Sequence, residues 1–162
     1  MSADPSGSTP ADAIAQLELG AVDQISFAVA DIAASLPEYT AIFGEFTVRN
    51  STLTPDNLTY RDEPSGVELR LAFCRSSEIE IELVQVLSGD WPTVDHLERH
   101  GSGVHHIRFR VDDLDSTLVR IYGAGFELVL RGSSPSGSEF AYLEAPSILG
   151  HTMVELLQPP PA

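Results

Sequence analysis

Two segments of the chain alternate apolar and polar residues in the same order. The first reads VDQISFAVAD (residues 22–31), and the second reads VHHIRFRVDD (residues 104–113). In register they share Val, Ile, Phe, Val and Asp, with Gln24 opposite His106. Period-two alternation is typical of a half-buried β-strand, and an Asp that follows such a strand is a common helix start. The pattern therefore predicts two related strands, each followed by a helix.

The two repeats continue in parallel after their helices. Each ends in a strand with the same signature, IELVQ at 81–85 and VELLQ at 154–158, which places Glu82 opposite Glu155. Pro37 lies within the first helical stretch, which predicts that this helix starts late, near Ser35. The other predicted strands cover 45–49, 67–73 and 78–86 in the first half, and 126–130, 139–144 and 152–157 in the second.

These elements predict an α+β fold made of two βαβββ modules. Their sheets would lie side by side as one curved, half-barrel mixed sheet with the helices outside. The predicted boundaries are a flexible tail at 1–18, module one at 19–87, a linker helix within 88–103, module two at 104–158, and a tail at 159–162. Residues 19–158 would thus form a single domain.

Composition narrows the functional classes. The net charge is −15, from 24 acidic and nine basic residues, and the basic residues are all Arg. Such a surface repels nucleic acid, and the lack of Lys excludes a Schiff-base lysine. The apolar runs are strand-sized and the N-terminus lacks the pattern of a secretory signal, so we expect no membrane association. With Cys74 as the single cysteine, the sequence predicts a cytoplasmic protein.

The polar positions of the alternating strands suggest a metal site. Gln24, His106, Glu82 and Glu155 all point away from apolar strand faces, at duplicated positions. A single Gln, His or Glu on a strand is more often hydrogen-bonded or solvated than a ligand. The matched positions in both modules favour the binding of one divalent ion by all four residues. This donor set suits Zn, Ni, Co, Mn or Mg.

The chain resembles the vicinal oxygen chelate superfamily, which includes glyoxalase I, methylmalonyl-CoA epimerase, extradiol dioxygenases and bleomycin-resistance proteins. The resemblance covers about residues 19–158 and is most specific in GVHHIRFRVDDLDSTLVRIYGAGFELV and HTMVELLQ. Together with ERHGSG, these segments resemble the epimerase branch most. The family takes its metal ligands from the first and last strands of each module. The resemblance therefore implies the ligands Gln24, Glu82, His106 and Glu155.

Departures from each branch limit what the resemblance implies. Epimerases typically have His at the first ligand position and Gln at the second, where this chain has Gln24 and Glu82. The ligand set resembles zinc-type glyoxalase I, yet that enzyme's glutathione-binding Arg and Asn are replaced by Ala28 and Val86. Extradiol dioxygenases hold Fe(II) with two His and one Glu, and Gln24 replaces the first of those His. Bleomycin-type binders lack the ligands.

The resemblance implies a metal-dependent lyase or isomerase, with epimerase-like proton transfer next to a carbonyl through an enediolate. Glu155 is the expected base and Glu82 its partner. Epimerases also use a Glu on a middle strand of module one, for which Glu68 is the nearest match. Arg70 and Arg108 are the substrate-binding candidates. Arg70 could bind a substrate carboxylate in bidentate fashion, and Arg108 follows His106 on the same strand face and is expected in the cavity.

Two alternatives remain open from the sequence. One is a non-catalytic protein of the same fold that binds or sequesters a small molecule. The other, less favoured, is an Fe(II) ring-cleaving dioxygenase. The expected partner is a small carbonyl compound or a thioester, although the net charge of −15 would not steer a CoA thioester toward the chain. Proteins of this type are often homodimers, and we expect one here.

Overall fold

The computed structural model describes residues 9–75, 78–146 and 149–162. The helices and strands, in chain order, are α1 Pro10–Ala15, β1 Val22–Ala28, α2 Ile32–Phe43, β2 Thr47–Leu53, β3 Leu58–Tyr60, β4 Glu63–Pro64, β5 Val67–Cys74, β6 Glu80–Gly89, α3 Pro92–His100, β7 Gly103–Arg110, α4 Leu114–Tyr122, β8 Glu127–Ser133, β9 Glu139–Glu144 and β10 Met153–Gln158. Among these residues, no helix is long and apolar enough to cross a membrane.

The described strands form one ten-stranded mixed sheet in the order β2-β5-β6-β1-β7-β10-β9-β8-β3-β4. Within module one, β1 pairs with β6 in parallel, and within module two, β7 pairs with β10 in parallel. The modules meet where β1 pairs antiparallel with β7. The sheet curls into a half-barrel, which confirms the predicted α+β class.

The shared Asp and Gln of the two repeats hold the helices in place. Asp31 and Asp113 are the N-caps of α2 and α4, and their side chains accept hydrogen bonds from Ala33, Ala34 and Ser116 amides. The side-chain oxygen of Gln85 accepts a 3.0 Å hydrogen bond from the Ile32 amide, and that of Gln158 accepts a 2.7 Å bond from the Leu114 amide. Each module thus satisfies otherwise unpaired helix N–H groups with the last residue of its repeated signature.

Apolar side chains pack on both surfaces of the sheet. Under α4, Leu114, Leu118 and Ile121 lie against strand residues such as Leu143 and Leu156. A smaller cluster around Ile32 and Leu83 packs under α2. The third cluster fills much of the concave side, and its members are Leu53, Leu58, Val67, Leu69, Leu71, Val84, Trp91, Leu130, Phe140, Tyr142 and Met153.

Two predicted boundaries are wrong. Helix α2 starts at Ile32 rather than near Ser35, because Asp31 caps it, and Pro37 is accommodated inside the helix. The N-terminal tail was predicted to extend to residue 18, but Thr9 caps α1 and Leu17 is buried in the cluster under α4. The part of the predicted tail before Thr9 lies outside the described residues.

The turn-rich stretch between the second and third predicted strands of module one contains a short hairpin. Strands β3 and β4 pair with each other, and β3 also pairs with β8 of module two. Since β2 leads into β3 at the opposite end of the strand order, residues 54–57 connect the two sides of the half-barrel. This covers the edge of β8 that would otherwise be open.

Gly89 is a point of close backbone approach at the end of β6. It has a φ of +87°, and a Cβ built there would lie 2.2 Å from the carbonyl oxygen of Gly66. Gly101 has a similar φ of +76°, but a Cβ there would meet nothing within 4 Å. An alanine at Gly101 would therefore introduce backbone strain alone, whereas an alanine at Gly89 would introduce strain and steric overlap.

We expect Gly89→Ala to lower the free energy of unfolding by about 3 kcal/mol or more, because strain and overlap add. Gly101 also has a ψ of −168°, which with its φ lies in a region that essentially only glycine adopts, so Gly101→Ala should cost about 2 kcal/mol from strain alone. Urea denaturation of the two variants beside the wild type measures the difference. Equal losses in the two variants would contradict the close approach at Gly66.

Candidate metal centre

The polar residues of the two repeated strands are more buried than their apolar neighbours. Gln24 and His106 are 1% and 0% exposed, whereas Ile25 and Ile107 are only partly buried. Glu82 and Glu155 are each 7% exposed. Burying carboxylates and other polar groups costs free energy unless they find partners, so these four buried residues are candidates for a functional site.

Strand register brings the four residues together from both modules. Ser26, two residues after Gln24, pairs with Glu82 across β1 and β6 and with His106 across β1 and β7. Across β7 and β10, Arg108 pairs with Glu155. The two modules share this geometry. Gln24 lies two residues before Ser26, the strand partner of Glu82, and His106 lies two residues before Arg108, the strand partner of Glu155.

The four side chains converge on one atom, Nε2 of His106. It lies 3.1 Å from Oε2 of Glu155, 3.4 Å from Oε1 of Gln24 and 3.5 Å from Oε2 of Glu82. Two ligand atoms that share a cation at metal–ligand distances of about 2.1 Å are themselves about 3.0–3.4 Å apart. The predicted set is therefore brought together within one chain, at separations close to those of ligands around one ion.

This cluster has fewer protons than its hydrogen-bond acceptors require. Nε2 of His106 carries at most one proton, yet three oxygens face it, and Oε2 of Glu82 is buried without a hydrogen-bond partner. The donor set of one imidazole, one amide and two carboxylates suits a divalent ion. The residues thus fit a cation that would replace the proton between His106 and the carboxylates.

The side chains contact each other rather than surround an open centre. Among the described ranges, no three His, Cys, Asp or Glu residues already form a metal-holding group. Binding would therefore require these contacts to open around the ion, and metal ligation remains a proposal.

Two further residues orient the cluster. Glu80 accepts a 2.8 Å hydrogen bond from Nε2 of Gln24, which directs the amide oxygen toward His106. Nδ1 of His105 lies 2.9 Å from Nδ1 of His106. Burial, with the nearby His106 and His96, holds the pKa of His105 well below its usual value, so His105 is neutral. Either ring can donate in the Nδ1–Nδ1 contact, depending on the tautomer. When His105 accepts, Nε2 of His106 presents a lone pair to the three oxygens, as a metal ligand must.

The cluster forms one end of a cavity with a volume of about 500 Å³. Tyr142 stands beside it, with its ring 4.7 Å from that of His106. Burial, together with Glu155 and Glu82, raises the pKa of Tyr142 well above its ordinary value. Its hydroxyl therefore stays protonated and is a hydrogen-bond donor available to a ligand in the cavity.

Sequence reasoning did not identify Glu80, Tyr142 or Trp91, which also lines the cavity. Glu80 precedes Glu82 by two residues on the same face of β6, and this alternation was an available signal. Tyr142 alternates with Phe140 in β9, but an aromatic residue at that spacing is equally typical of a core position.

The structure does not support the roles predicted for Glu68 and Arg70. Both alternate along β5 with Leu69 and Leu71, which line the cavity, so Glu68 and Arg70 face outward. Glu68 is exposed and accepts a 3.0 Å hydrogen bond from the Ser88 hydroxyl, and Arg70 donates to Asn50. Neither is placed to contact a substrate held beside His106.

Arg108 does line the cavity, but its guanidinium is already bound. It donates to both carboxylate oxygens of Asp23 at 2.8 and 3.1 Å, and lies 3.4 Å from Glu80. Although burial opposes it, these acids and Glu155 raise the pKa of Arg108. Arg108 lies in the cavity wall, as expected, and balances the charge beside the cluster. Its substrate-binding role stays a prediction.

The chain belongs to the glyoxalase/bleomycin resistance protein/dioxygenase superfamily, whose family model matches residues 23–142. This confirms the resemblance to the vicinal oxygen chelate proteins. The matched range contains Gln24, Glu82 and His106, whereas Glu155 lies beyond it.

Individual relatives are distant. The chain is similar to the uncharacterized protein YqjC of Bacillus subtilis (strain 168), with 28% identity over 94 residues, 57% of this chain and 66% of that protein. Among solved structures, it resembles methylmalonyl-CoA epimerase from Mycobacterium tuberculosis (TM-score 0.61, 23% identity, 86% of this chain and 88% of that one). It also resembles a Streptomyces coelicolor methylmalonyl-CoA epimerase in complex with 2-nitronate-propionyl-CoA (TM-score 0.60, 22% identity, 85% and 96% covered). At these identities the structural likeness shows the fold.

The protonation of Glu82 predicts a pH-dependent stability in the metal-free protein. Burial is the largest cause that raises its pKa, Glu155 adds to it, and His106 only partly opposes it, so the pKa rises from 4.5 to about 7. The folded state therefore holds this proton to higher pH than the unfolded chain does. Its contribution to stability is complete below about pH 4.5 and is lost as the pH rises toward 7.

We expect Glu82→Gln to remove this dependence, since the amide has no proton to lose. Relative to wild type, the variant should gain up to about 3 kcal/mol of unfolding free energy between pH 5 and pH 8. Denaturant titrations with a chelator at both pH values provide the measurement, with Glu68→Gln on the outer face as the matched control. A Glu82→Gln curve parallel to that of the wild type would refute the raised pKa.

Proposed function

We propose that the protein is a divalent-metal-dependent lyase or isomerase that moves a proton next to a substrate carbonyl. The observation that carries this proposal is the convergence of Gln24, Glu82 and Glu155 on Nε2 of His106, at one end of a cavity. These four side chains would hold one ion of Zn, Ni, Co, Mn or Mg. The chemistry that such an ion supplies is Lewis-acid polarisation of neighbouring substrate oxygens.

The carboxylates of Glu155 and Glu82 would carry out the proton transfer. Both Glu155 and Glu82 line the cavity, and they come from different modules. Glu155 would take the proton from the carbon between two substrate oxygens. If Glu155 keeps that proton and a protonated Glu82 delivers its own from the other side, the result is epimerisation. If the proton returns to the adjacent carbon, the result is isomerisation. The hydroxyl of Tyr142 would donate a hydrogen bond to the substrate oxygen on which negative charge develops.

Two of the solved epimerase structures hold a CoA compound, 2-nitronate-propionyl-CoA in one and methylmalonyl-CoA in the other. For this chain, a less charged carbonyl substrate fits better than a CoA thioester, because the net charge is −15 and both Glu82 and Glu155 face the cavity. The homodimer and the cytoplasmic location stay predictions from the sequence.

The first test of the proposal is metal content. Equilibrium dialysis against Co²⁺ or Zn²⁺ should load about one ion per chain at the four-residue site. His106→Ala and Glu155→Ala should weaken binding at least about tenfold, since each removes a ligand. Glu68→Ala, which removes a carboxylate from the outer face of β5, is the control and should bind as the wild type does. Equal binding by all four proteins would exclude the site.

The second test is proton exchange in deuterated water. With the metal-loaded protein, α-hydroxyketones and simple 2-substituted malonyl thioesters should exchange their α-proton, as followed by NMR. We expect Glu155→Gln to slow exchange by about 100-fold or more, the usual effect of removing a general base.

The alternative, a non-catalytic binding protein, is favoured by the apolar character of the cavity wall, which includes Leu69, Leu71 and Phe140. It predicts ligand retention without any metal-dependent exchange. Exchange at the uncatalysed rate with every substrate of the two classes would support this alternative over the enzyme.

A further inference from the structure

The wall of the cavity that Glu82 and Glu155 line has an apolar part and a polar part. The apolar part is aliphatic and aromatic. These residues are Leu53, Leu69, Leu71, Phe73, Val84, Trp91, Phe140, Tyr142 and Leu157. Hydroxyl and amide residues, such as Ser51 and Ser136, line it from β2 and from the turn between β8 and β9. A ligand that fits this cavity would have an apolar middle, one polar group at the four-residue cluster and a second polar group beside the hydroxyl and amide residues.

Among the described residues that line the cavity, two are arginines, and they differ in their partners. Arg108 is bound by Asp23 and Glu80. Arg49 is exposed, and its guanidinium carbon lies 4.6 Å from the centre of the Phe73 ring. None of the ion pairs or hydrogen bonds between described residues involves the Arg49 side chain, so its charge is available to a ligand.

Strand register places Arg49 at a defined distance from the reactive end. Arg49 pairs with Leu71 on β5, and Leu71 pairs with Val84 on β6, two residues along the strand from Glu82. Two strand spacings of about 4.8 Å and two residues along a strand put the Cα atoms of Arg49 and Glu82 about 12 Å apart. The Arg49 guanidinium is closer than that, because it lies over Phe73, which pairs directly with Glu82. Arg49 also shares the cavity face with Leu71, because directly paired residues point to the same side of a sheet.

We infer that the cavity takes a compact monoanion with three parts. These are two neighbouring oxygens at the four-residue cluster, an apolar aryl or alkyl body along the Leu71–Phe73 wall, and a single carboxylate at Arg49. The oxygen end of this assignment rests on the proposed function. The body and the carboxylate rest on the cavity wall and on Arg49 alone. A planar guanidinium stacked on an aromatic ring is well placed to bind a carboxylate in bidentate fashion.

The test uses the fluorescence of Trp91, the single tryptophan of the chain, which lines the cavity. The probes are 4-propylbenzoate and its uncharged twin, 4-propylbenzyl alcohol, titrated with a chelator present. Because the chelator keeps the protein metal-free, binding of either probe does not depend on a metal. The benzoate should bind about tenfold tighter than the alcohol. Arg49→Met should abolish this preference without changing the affinity for the alcohol.

Arg70→Met is the matched control, because Arg70 lies on the neighbouring strand but faces outward. It should keep the wild-type preference, and Arg49→Lys should keep part of it. Thermal unfolding of each variant checks that the fold is intact, and Arg49→Gln replaces Arg49→Met if the latter is unstable. Equal affinities of the wild type for the two probes, or an undiminished preference in the Arg49 variant, would overturn the inference.

A third probe separates this inference from the proposed function. 4-Carboxybenzohydroxamate has two neighbouring oxygens at one end and a carboxylate at the other. It should bind at least about tenfold tighter when Co²⁺ is present, and Arg49→Met should weaken it in both conditions. If the gain from Co²⁺ is absent while the effect of Arg49 persists, the metal proposal fails and the carboxylate site stands. If the effect of Arg49 is absent while the gain from Co²⁺ persists, the carboxylate site fails and the metal proposal stands.

Discussion

The interior of this protein is arranged around a shortage of positive charge where β1 meets β7. Two buried carboxylates, Glu82 and Glu155, face one imidazole nitrogen that can carry at most one proton. Burial raises the pKa of Glu82 to about 7, so the metal-free protein relieves part of this conflict by holding a proton. A divalent cation would relieve it more completely, because both carboxylates could then stay ionised.

The surrounding residues keep this arrangement in place. Glu80 orients the amide of Gln24, and Nδ1 of His105 lies within hydrogen-bond distance of Nδ1 of His106. The guanidinium of Arg108 is held between Asp23 and Glu80 and does not reach across to pair with the two carboxylates. The antiparallel pairing of β1 with β7 is equally necessary, since a slip of one residue would turn Gln24 or His106 to the outer face.

Much of this arrangement could be predicted because its signals are local. Period-two alternation identified β1 and β7, and the repeated signatures identified β6 and β10 with their matched carboxylates. The duplication also supplied the pairing of Gln24 with His106 and of Glu82 with Glu155. The repeated Asp and Gln residues turned out to have a structural role, because they cap the helices of their own modules.

What could not be predicted depends on contacts between distant segments. Alternation in β5 separates Glu68 and Arg70 from Leu69 and Leu71, but it does not say which face lines the cavity. On β1 and β7 the polar face is inside, whereas on β5 the apolar face is inside, so reasoning by analogy between strands failed. The pairing of β3 with β8 and the place of Arg49 beside Phe73 likewise follow from the closed arrangement of the sheet.

Metal binding by the two duplicated strand pairs can be seen by anomalous diffraction at the zinc edge, from crystals of the wild-type protein grown with Zn²⁺. We expect one peak in bonding contact with Nε2 of His106 and with carboxylate oxygens of Glu82 and Glu155. A map with no peak there, and with Glu155 still about 3.1 Å from Nε2 of His106, would rule out the proposed metal site.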